Sequence, residues 1–331
     1  MLLRIKNYFK YRLPRLYRYV RDLLFPIYVK LRSRNLKKFL HYVKDINFNG
    51  VKYKLVLRAE NGFVDEEIYW KGVYEEEVMN ELKSIIENNK NNSTCVFLDI
   101  GSNIGQELIF AVALAHKVNL NNFYAVGFEP IKKLCDQINQ SIQANNFNIE
   151  NIKVLNYALG DREQELSLNT PVINVGGSSL VRNESNTVGE IRVEKIFVKR
   201  GDDVMNEILS HPSETRDLPS SHSRREGEKL IMKIDVEGFE YEVIKGLIDT
   251  IRKYKPIVIL EYSPAFYIKN SAMGDRSQMG IELLKLLVEE KYIMEIIDIG
   301  EYKNKIYKGQ EIINWGHNFK GEQANLLLYK V

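Results

Sequence analysis

The 331-residue chain is poor in the residues that build metal centres and covalent cross-links. It has two cysteines, Cys95 and Cys135, and five scattered histidines, and neither set has the spacing of a metal site or a disulfide framework. Two isolated thiols are typical of a reduced, cytoplasmic protein. The sequence therefore predicts no metal ion and no fold held together by disulfides.

Long hydrophobic runs are also missing. The longest uncharged run near the N-terminus, residues 23–29, is far too short to span a bilayer and contains Pro26. It also lacks the long apolar core and the cleavage site of a signal peptide. The hydrophobic content of 44% is ordinary for a globular protein, so we expect one large domain with an N-terminal appendage.

Positive charge is concentrated in that appendage. Residues 1–45 contain 13 Lys/Arg and two Asp, a net charge of +11, whereas the whole chain carries only +3. On a helical wheel, apolar and basic side chains separate onto two sides. The apolar side has Leu13, Leu16, Tyr17, Val20, Leu23 and Leu24, and the basic side has Arg12, Arg15, Arg18 and Arg21. We expect a basic helical arm that contacts the inner face of an anionic membrane peripherally. The alternative is that its apolar stripe packs on the protein or on a second subunit.

A strand, a small-residue loop and a helix start follow one another at residues 96–105. The loop reads Asp99-Ile-Gly101-Ser-Asn103-Ile-Gly105. A dinucleotide fingerprint would read G-x-G-x-x-G, so a nicotinamide-dependent oxidoreductase is disfavoured. The order Asp-x-Gly-x-Asn-x-Gly suits a cofactor without a phosphate. The amino-acid half of S-adenosylmethionine can pass over Gly101, where no Cβ blocks its approach.

Two later strands also end at candidate cofactor residues. Glu129 ends the second predicted strand, where an acid can accept hydrogen bonds from both ribose hydroxyls. The third predicted strand, residues 152–156, leads into a turn where an adenine ring would rest. Asn156 and Ala158 belong to this turn.

Carboxylates end the fourth and fifth predicted strands as well. Asp235, Glu237 and Glu240 follow the strand at residues 230–234, and Glu261 follows the strand at 256–260. Ligands bind at the carboxyl edge of an open parallel sheet, so the sequence predicts a polar site there. The remaining predicted strands are 294–298 and 324–329, with an antiparallel pair at 165–168 and 192–198.

These segments together resemble the FkbM family of S-adenosylmethionine-dependent methyltransferases. The matching segments are residues 97–105, 128–130, 156–161, 177–180 and, most specifically, Lys-Ile-Asp-Val-Glu-Gly-Phe-Glu at 233–240. The resemblance spans residues 72–329. It implies a class I methyltransferase (Rossmann-like) α/β fold with a seven-stranded, mostly parallel sheet and an antiparallel last strand. It also implies S-adenosylmethionine as the cofactor and O-methylation of hydroxyls on sugars or secondary metabolites.

The expected organisation is an arm at residues 1–45 and a methyltransferase domain at 46–331. Residues 47–70 are expected to form a small β element. A helix then begins at Glu75, which the resemblance places at the edge of the cofactor site. Residues 210–228 are rich in serine and charge and cannot bury enough apolar surface, so we expect a flexible surface insertion.

The expected reaction is methyl transfer to a hydroxyl of a glycan or glycolipid precursor. Its acceptor proton needs a base, and Asp235 is the first choice because it ends the central strand nearest the expected methyl position. Glu237 and Glu261 are further candidate bases. These three acids could also hold a divalent cation, but no characteristic ligand spacing supports this. Asp235 also belongs to the predicted cofactor residues.

Two alternatives stay open. The acceptor could be a lipid, a peptide or a secondary metabolite. In a different class, the chain could be a non-enzymatic nucleotide- or nucleic-acid-binding protein whose basic arm contacts phosphates. No RNA-binding motif is present, so a nucleic-acid partner is not expected.

Overall fold

The computed structural model describes residues 42–58, 62–91, 94–171, 177–181, 191–210, 228–267, 269, 271–298, 303–321 and 323–330. The amphipathic helix predicted within the arm lies outside the described residues. So does the predicted insertion, apart from its first and last residues.

Strands and helices alternate along most of the chain. The strands are β1 (Tyr42–Phe48), β2 (Val51–Leu57), β3 (Thr94–Ile100), β4 (Phe123–Phe128), β5 (Ile152–Leu155), β6 (Ala158–Gly160), β7 (Gln164–Pro171), β8 (Ile191–Arg200), β9 (Glu228–Ile234), β10 (Ile257–Tyr262), β11 (Ile293–Ile296), β12 (Ile306–Lys308) and β13 (Ala324–Tyr329). The α-helices are α1 (Phe63–Lys71), α2 (Glu76–Asn88), α3 (Gln106–Lys117), α4 (Lys132–Asn145), α5 (Gly201–Ser210), α6 (Glu240–Gly246), α7 (Ile248–Tyr254), α8 (Met279–Glu289) and α9 (Gln310–Asn318).

The central sheet has eight strands in the order β12-β11-β13-β10-β9-β3-β4-β5. Strands β10, β9, β3, β4 and β5 are parallel, and β13 is antiparallel to both β10 and β11. The predicted α/β fold and the antiparallel last strand are therefore confirmed. The predicted count of seven strands was wrong by one, because β12 is an edge strand of three residues with no readable sequence pattern.

The middle of the sheet is buried on both faces. All seven residues of β3 are buried, as expected for a parallel strand covered by helices on each side. Helix α3 follows it directly, and its run from Leu108 to Ala115 is buried throughout. A rigid, dry centre of this kind fixes the positions of the side chains at the carboxyl ends of β3 and β9.

Two smaller sheets flank this body. Strands β1 and β2 form an antiparallel hairpin, and β2 contacts α3 and α4. Strand β8 pairs antiparallel with β7, as the sequence predicts for residues 165–168 and 192–198. Strand β8 also pairs, in parallel, with β6. The domain boundary predicted at residue 45 falls inside β1. The small β element predicted at 47–70 is only half correct, because residues 63–71 form helix α1.

Candidate active site

Strand register brings four charged side chains onto one face of the sheet. Asp99 of β3 lies beside Lys233 of β9. Residues two apart on a strand share a face, so Asp235 follows Lys233 on that face. Ile259 of β10 is the register partner of Lys233, which places Glu261 beside Asp235. The carboxyl edge of the sheet therefore carries these groups side by side, as the sequence predicts for such an edge.

Lys233 neutralises part of this group of acids. Its Nζ lies 3.0 Å from Asp235 Oδ2, and the side chain is buried. Burial lowers the lysine pKa, but the carboxylates around it, with Asp235 first and then Glu107 and Asp99, raise that pKa well above its ordinary value. Lys233 is therefore a buried cation at neutral pH.

Asp99 is fully buried, and its carboxylate is not satisfied by the protein. Within the described residues, neither carboxylate oxygen meets a hydrogen-bond partner of normal geometry. The Ser102 hydroxyl donates instead to the Asp99 backbone carbonyl, at 2.8 Å. Burial raises the pKa of Asp99 to about 7, although Lys233 opposes the shift. An unpartnered buried carboxyl group at a strand end is a feature of ligand sites rather than of structural cores.

The loop between β3 and α3 is built for close backbone approach. Gly101, Asn103 and Gly105 all have positive φ angles, of 85°, 51° and 80°. A Cβ on Gly101 would lie 1.9 Å from the backbone oxygen of Asp235, so only glycine fits at this position. The Asp235 amide also donates to the Ile100 carbonyl, at 3.0 Å. The loop and the end of β9 are thus in direct contact.

Glu129 closes the other side of this loop. Its Oε2 accepts a hydrogen bond from the Asn103 amide at 2.9 Å, and its Oε1 accepts one from the Ile131 amide at 2.8 Å. Burial raises the pKa of this carboxyl to about 8, although both amides oppose the shift. Each oxygen keeps a second acceptor position, so the side chain is fixed in place and can still accept from a ligand.

A cleft of about 680 Å³, measured out to its open mouth, lies along this edge of the sheet. Six of the predicted site residues line it: Gly101, Asn103, Glu129, Ala158, Asp235 and Glu237. The other five do not line it: Glu75, Asp99, Gly105, Asn156 and Glu261. Apolar side chains, including Phe128, Leu134 and Leu159, form much of the remaining wall.

Asn156 does not line the cleft, but it supports a segment that does. Its Nδ2 donates to the backbone oxygens of Glu129, at 3.0 Å, and Pro130, at 2.8 Å. The amide therefore holds the turn that carries Glu129.

The segment around Glu75 is joined to the start of helix α3 by a residue that the sequence did not single out. Gln106, directly after Gly105, accepts from the Tyr74 amide at 2.8 Å and donates to the Tyr74 carbonyl at 3.0 Å. Glu75 has a left-handed backbone with φ of 48°. Burial and the nearby Asp235 raise the Glu75 pKa to about 8. The sequence does contain a signal for this role, because the side chain of a glutamine at the start of a helix has both a donor and an acceptor for the backbone of another segment.

Glu237 also has a left-handed backbone, with φ of 52°, and Gly238 follows with φ of 100°. Three side chains hold this strained pair. Ser179 Oγ donates to the Glu237 carbonyl at 2.7 Å, the Gly238 amide donates to Glu240 Oε1 at 2.9 Å, and Arg276 Nη2 donates to the Gly238 carbonyl at 2.9 Å. Left-handed glutamates are uncommon, and strain of this kind is found at functional sites.

Those supporting groups are themselves anchored. The Tyr267 hydroxyl donates to Glu240 Oε2 at 2.8 Å, and burial raises the Glu240 pKa to about 7. Arg276 makes a two-pronged contact with the Glu242 carboxylate, including Nη2 to Oε2 at 2.7 Å. The roles of Ser179, Tyr267 and Arg276 could not be predicted from the sequence, because the three residues come from separate segments.

Glu261 completes the carboxylate group on the side of β10. It is buried, and its Oε2 has no hydrogen-bond partner among the described residues. Burial, followed by the charge of Asp235, raises its pKa well above the ordinary value. The same acids act on Tyr74. The pKa of its phenol is raised first by the charge of Glu75, then by burial, and then by the charges of Asp235 and Glu261. In the described part of the chain, no three His, Cys, Asp or Glu side chains are arranged to hold a metal ion.

The order of the sheet, the glycine loop after β3 and the antiparallel strand β13 agree with the class I methyltransferase fold that the sequence predicts. The sequence profile of the Methyltransferase FkbM domain matches residues 99–294, and the chain belongs to this family. No curated protein sequence matches it.

Several solved structures are similar in fold. Methyltransferase FkbM from Methylobacillus flagellatus KT is 14% identical, with a TM-score of 0.38, over 71% of this chain and 44% of that chain. An O-methyltransferase from Bacillus cereus, solved in complex with SAH, is 11% identical, with a TM-score of 0.42, over 80% of this chain and 90% of that one. A SAM-dependent methyltransferase from Agrobacterium tumefaciens is 9% identical, with a TM-score of 0.39, over 87% and 70%.

Proposed function

We propose that this chain is an O-methyltransferase whose acceptor is a hydroxyl of a glycan or glycolipid precursor. The observation that carries the proposal is the position of Asp235. Its side chain both lines the cleft and contacts the buried Lys233. It therefore lies where the cleft meets the group of carboxylates, and in this proposal the acceptor hydroxyl loses its proton there.

The residues along the cleft fit S-adenosylmethionine, which when bound supplies a methyl group on a positively charged sulfur. Glu129 would hold the ribose hydroxyls through its two free acceptor positions. Ala158 and the apolar wall would hold the adenine ring. Gly101 lines the cleft where the amino-acid half would lie. Asp99, buried directly before this loop, would act on the ammonium group from behind it, and that positive charge would favour the ionised form of its carboxyl group.

Four other predicted residues support these contacts. Asn103 donates its amide to Glu129, and Gly105 begins helix α3 with a positive φ. Asn156 holds the turn behind Glu129. Glu75 would close the edge of the site, because Gln106 ties the adjacent Tyr74 to the cofactor loop.

In this proposal, Asp235 receives the proton of the acceptor hydroxyl. Lys233 holds its carboxylate by a charge-assisted hydrogen bond, so little reorganisation is needed during the reaction. Glu237 and Glu261 are the further candidate bases. Burial raises the pKa of Glu261 above its ordinary value, which makes its carboxylate a stronger base. A sugar hydroxyl is favoured because the resemblance to the FkbM family implies O-methylation of hydroxyls on sugars or secondary metabolites.

A direct test is transfer of an isotopically labelled methyl group from S-adenosylmethionine to three acceptor pools. The pools are nucleotide sugars with free oligosaccharides, lipid-linked glycans, and a mixture of lipids, phenols and peptides. Label in a sugar hydroxyl of the first two pools supports the proposal. Label confined to the third pool favours the alternative, a methyltransferase for a lipid, peptide or secondary metabolite. The Asp235→Asn variant controls for non-enzymatic transfer.

The membrane contact is a separate part of the proposal. Residues 1–45 would act as a peripheral arm on an anionic membrane, and the remaining chain would be the methyltransferase domain. The net charge of +11 supports this, because each basic residue near an anionic surface contributes about 1 kcal/mol. No helix in the described ranges is long and apolar enough to cross a bilayer.

A further inference from the structure

Three aromatic side chains contact one another on the surface where the chain enters its first strand. Tyr42 begins β1, and Tyr69 and Trp70 lie near the end of α1. The Tyr42 and Tyr69 rings are edge-on at 5.5 Å, and the Tyr69 and Trp70 rings are edge-on at 4.9 Å. Trp70 is 61% exposed and Tyr42 is 46% exposed. We call these three residues the aromatic patch.

The aromatic patch stands on rigid structure. Strand β1 is paired with β2 along all of its residues. Helix α1 is held by the buried Asp65, whose Oδ1 accepts from the Arg58 amide at 2.6 Å and from Gln137 Nε2 at 2.8 Å. Ile68 of the same helix is fully buried. The exposed rings are therefore presented by a fixed surface, because the elements that carry them are anchored in the core.

The chemistry of the aromatic patch is that of a membrane interface. Tyrosine and tryptophan have an apolar body and a polar tip, and both are enriched at the level of lipid headgroups. Large exposed apolar side chains normally occur singly on soluble proteins, whereas here three rings are joined. Lys44 adds positive charge, with Nζ 2.6 Å from the Tyr69 carbonyl and 5.3 Å from the centre of the Tyr69 ring.

The sequence immediately before Tyr42 indicates which partner the aromatic patch contacts. Residues 1–41 contain most of the positive charge of the arm and have the pattern of a basic amphipathic helix. Proteins held by a covalent lipid gain stable attachment from a second signal, such as a polybasic segment beside one acyl chain, and two weak contacts can add in the same way here. The basic arm is one such signal, and the aromatic patch is joined to it by the chain itself.

We propose that the aromatic patch is a second membrane contact, which docks on an anionic bilayer beside the arm. This inference rests on the membrane contact proposed for residues 1–45. It orients the body so that the start of β1 and the end of α1 face the lipid.

The test uses the full chain and the tryptophan signal. There are two tryptophans, and Trp315 is buried in an aromatic cluster where it stacks on Phe319 at 4.8 Å. A change of environment at the surface therefore reports on Trp70. Vesicles of phosphatidylcholine with phosphatidylglycerol should shift the emission to the blue and protect it from acrylamide. Pure phosphatidylcholine vesicles should not.

The Trp70→Ser variant should lose that response and bind the anionic vesicles about tenfold more weakly in flotation. The matched control is Phe197→Ser, which removes an exposed aromatic ring from β8, in a different sheet. This control should bind as the unchanged protein does. Both variants should keep the melting temperature, because both side chains are exposed.

Three results would overturn the proposal. The first is unchanged vesicle binding by Trp70→Ser, which would leave the arm as the sole anchor. The second is a blue shift that appears without vesicles and depends on protein concentration, which would indicate that the aromatic patch binds a second copy of the chain. The third is a shift with single-stranded nucleic acid but not with vesicles. None of these measurements needs methyl transfer, so their failure is distinguishable from failure of the proposed activity.

Discussion

Lys233 of β9 and Asp235, directly after the strand, form a partly buried ion pair of 3.0 Å. Asp99 and Glu107 also act on this lysine, so one ammonium group serves several acids. Asp235 in addition lines the cleft, and its backbone oxygen lies against Gly101. Asp235 thus joins the loop between β3 and α3, the cleft and Lys233.

Replacing Asp235 by asparagine should lower turnover by at least about 100-fold, the low end of the contribution of a general base. Asparagine keeps the shape of the side chain and an oxygen for Lys233, so the melting temperature and the affinity for S-adenosylhomocysteine should change little. Steady-state kinetics and calorimetry measure the two effects. The exposed Asp249→Asn on α7 is the control and should leave both unchanged. Normal turnover with a collapsed melting temperature would make Asp235 structural and Glu261 the next candidate base.

Gly101→Ala should both strain the loop and push it away from β9. The positive φ alone costs about 1–3 kcal/mol, and the new Cβ would meet the Asp235 backbone oxygen. Gly72→Ala is a close control, because Gly72 has the same φ of 85° but open space around it. Urea unfolding should therefore show a larger loss of stability for Gly101→Ala, with weaker cofactor binding in that variant alone. Equal losses for the two variants would contradict the close contact.

Glu129→Ala should weaken binding of S-adenosylmethionine by about 1–3 kcal/mol, the usual cost of losing hydrogen bonds to a charged group. Calorimetry should also show weak or no binding of NAD to the unchanged protein. Glu163→Ala, at an exposed position, should bind the cofactor normally. Tight NAD binding without a response to either sulfur compound would contradict the assignment of the cleft.

Arg276→Lys should lower kcat while leaving cofactor affinity nearly unchanged. Lysine keeps the charge, but it cannot bind both the Glu242 carboxylate and the Gly238 carbonyl, so the left-handed Glu237 loses its support. The matched control is Arg252→Lys, which alters a two-pronged pair with Glu290 on the surface. It should have unchanged kinetics. If Arg276→Lys and Arg252→Lys have the same kcat, the left-handed conformation of Glu237 does not contribute to catalysis.

The stability of the cofactor-free protein should fall as the pH rises. The pKa of Glu129 is about 8 in the folded protein, above its unfolded value near 4.5. The folded state therefore binds the proton more tightly, and this contribution is present below the unfolded pKa and lost as the pH rises through about 8. Melting temperatures between about pH 6 and pH 8.5 should decline less steeply in Glu129→Gln than in the unchanged protein. The exposed Glu77→Gln should keep the full slope. A Glu129→Gln slope identical to that of the unchanged protein would contradict the shifted pKa.

Much of the fold could be predicted from the chain because the pattern of a buried parallel strand is local. The apolar run of β3 and the acid that ends β9 are readable without knowing their neighbours. Helix α1 was missed, because its stability comes from Asp65, which bonds to backbone near β2 and to Gln137 of α4. Strand β12 was missed because three residues have no readable period.

The candidate site divides in the same way. The residue types and spacing by themselves determined that acids end successive strands, and that a glycine loop follows β3. Parallel strands bring such ends to one edge whatever the details of packing. Only the tertiary structure decided how those acids behave. The charge on Lys233 depends on Asp235 and also on Glu107 of α3 and Asp99 of β3. The conformation of Glu237 depends on Ser179 and Arg276. Burial and long-range hydrogen bonds are properties of the packed molecule, so no local pattern could contain them.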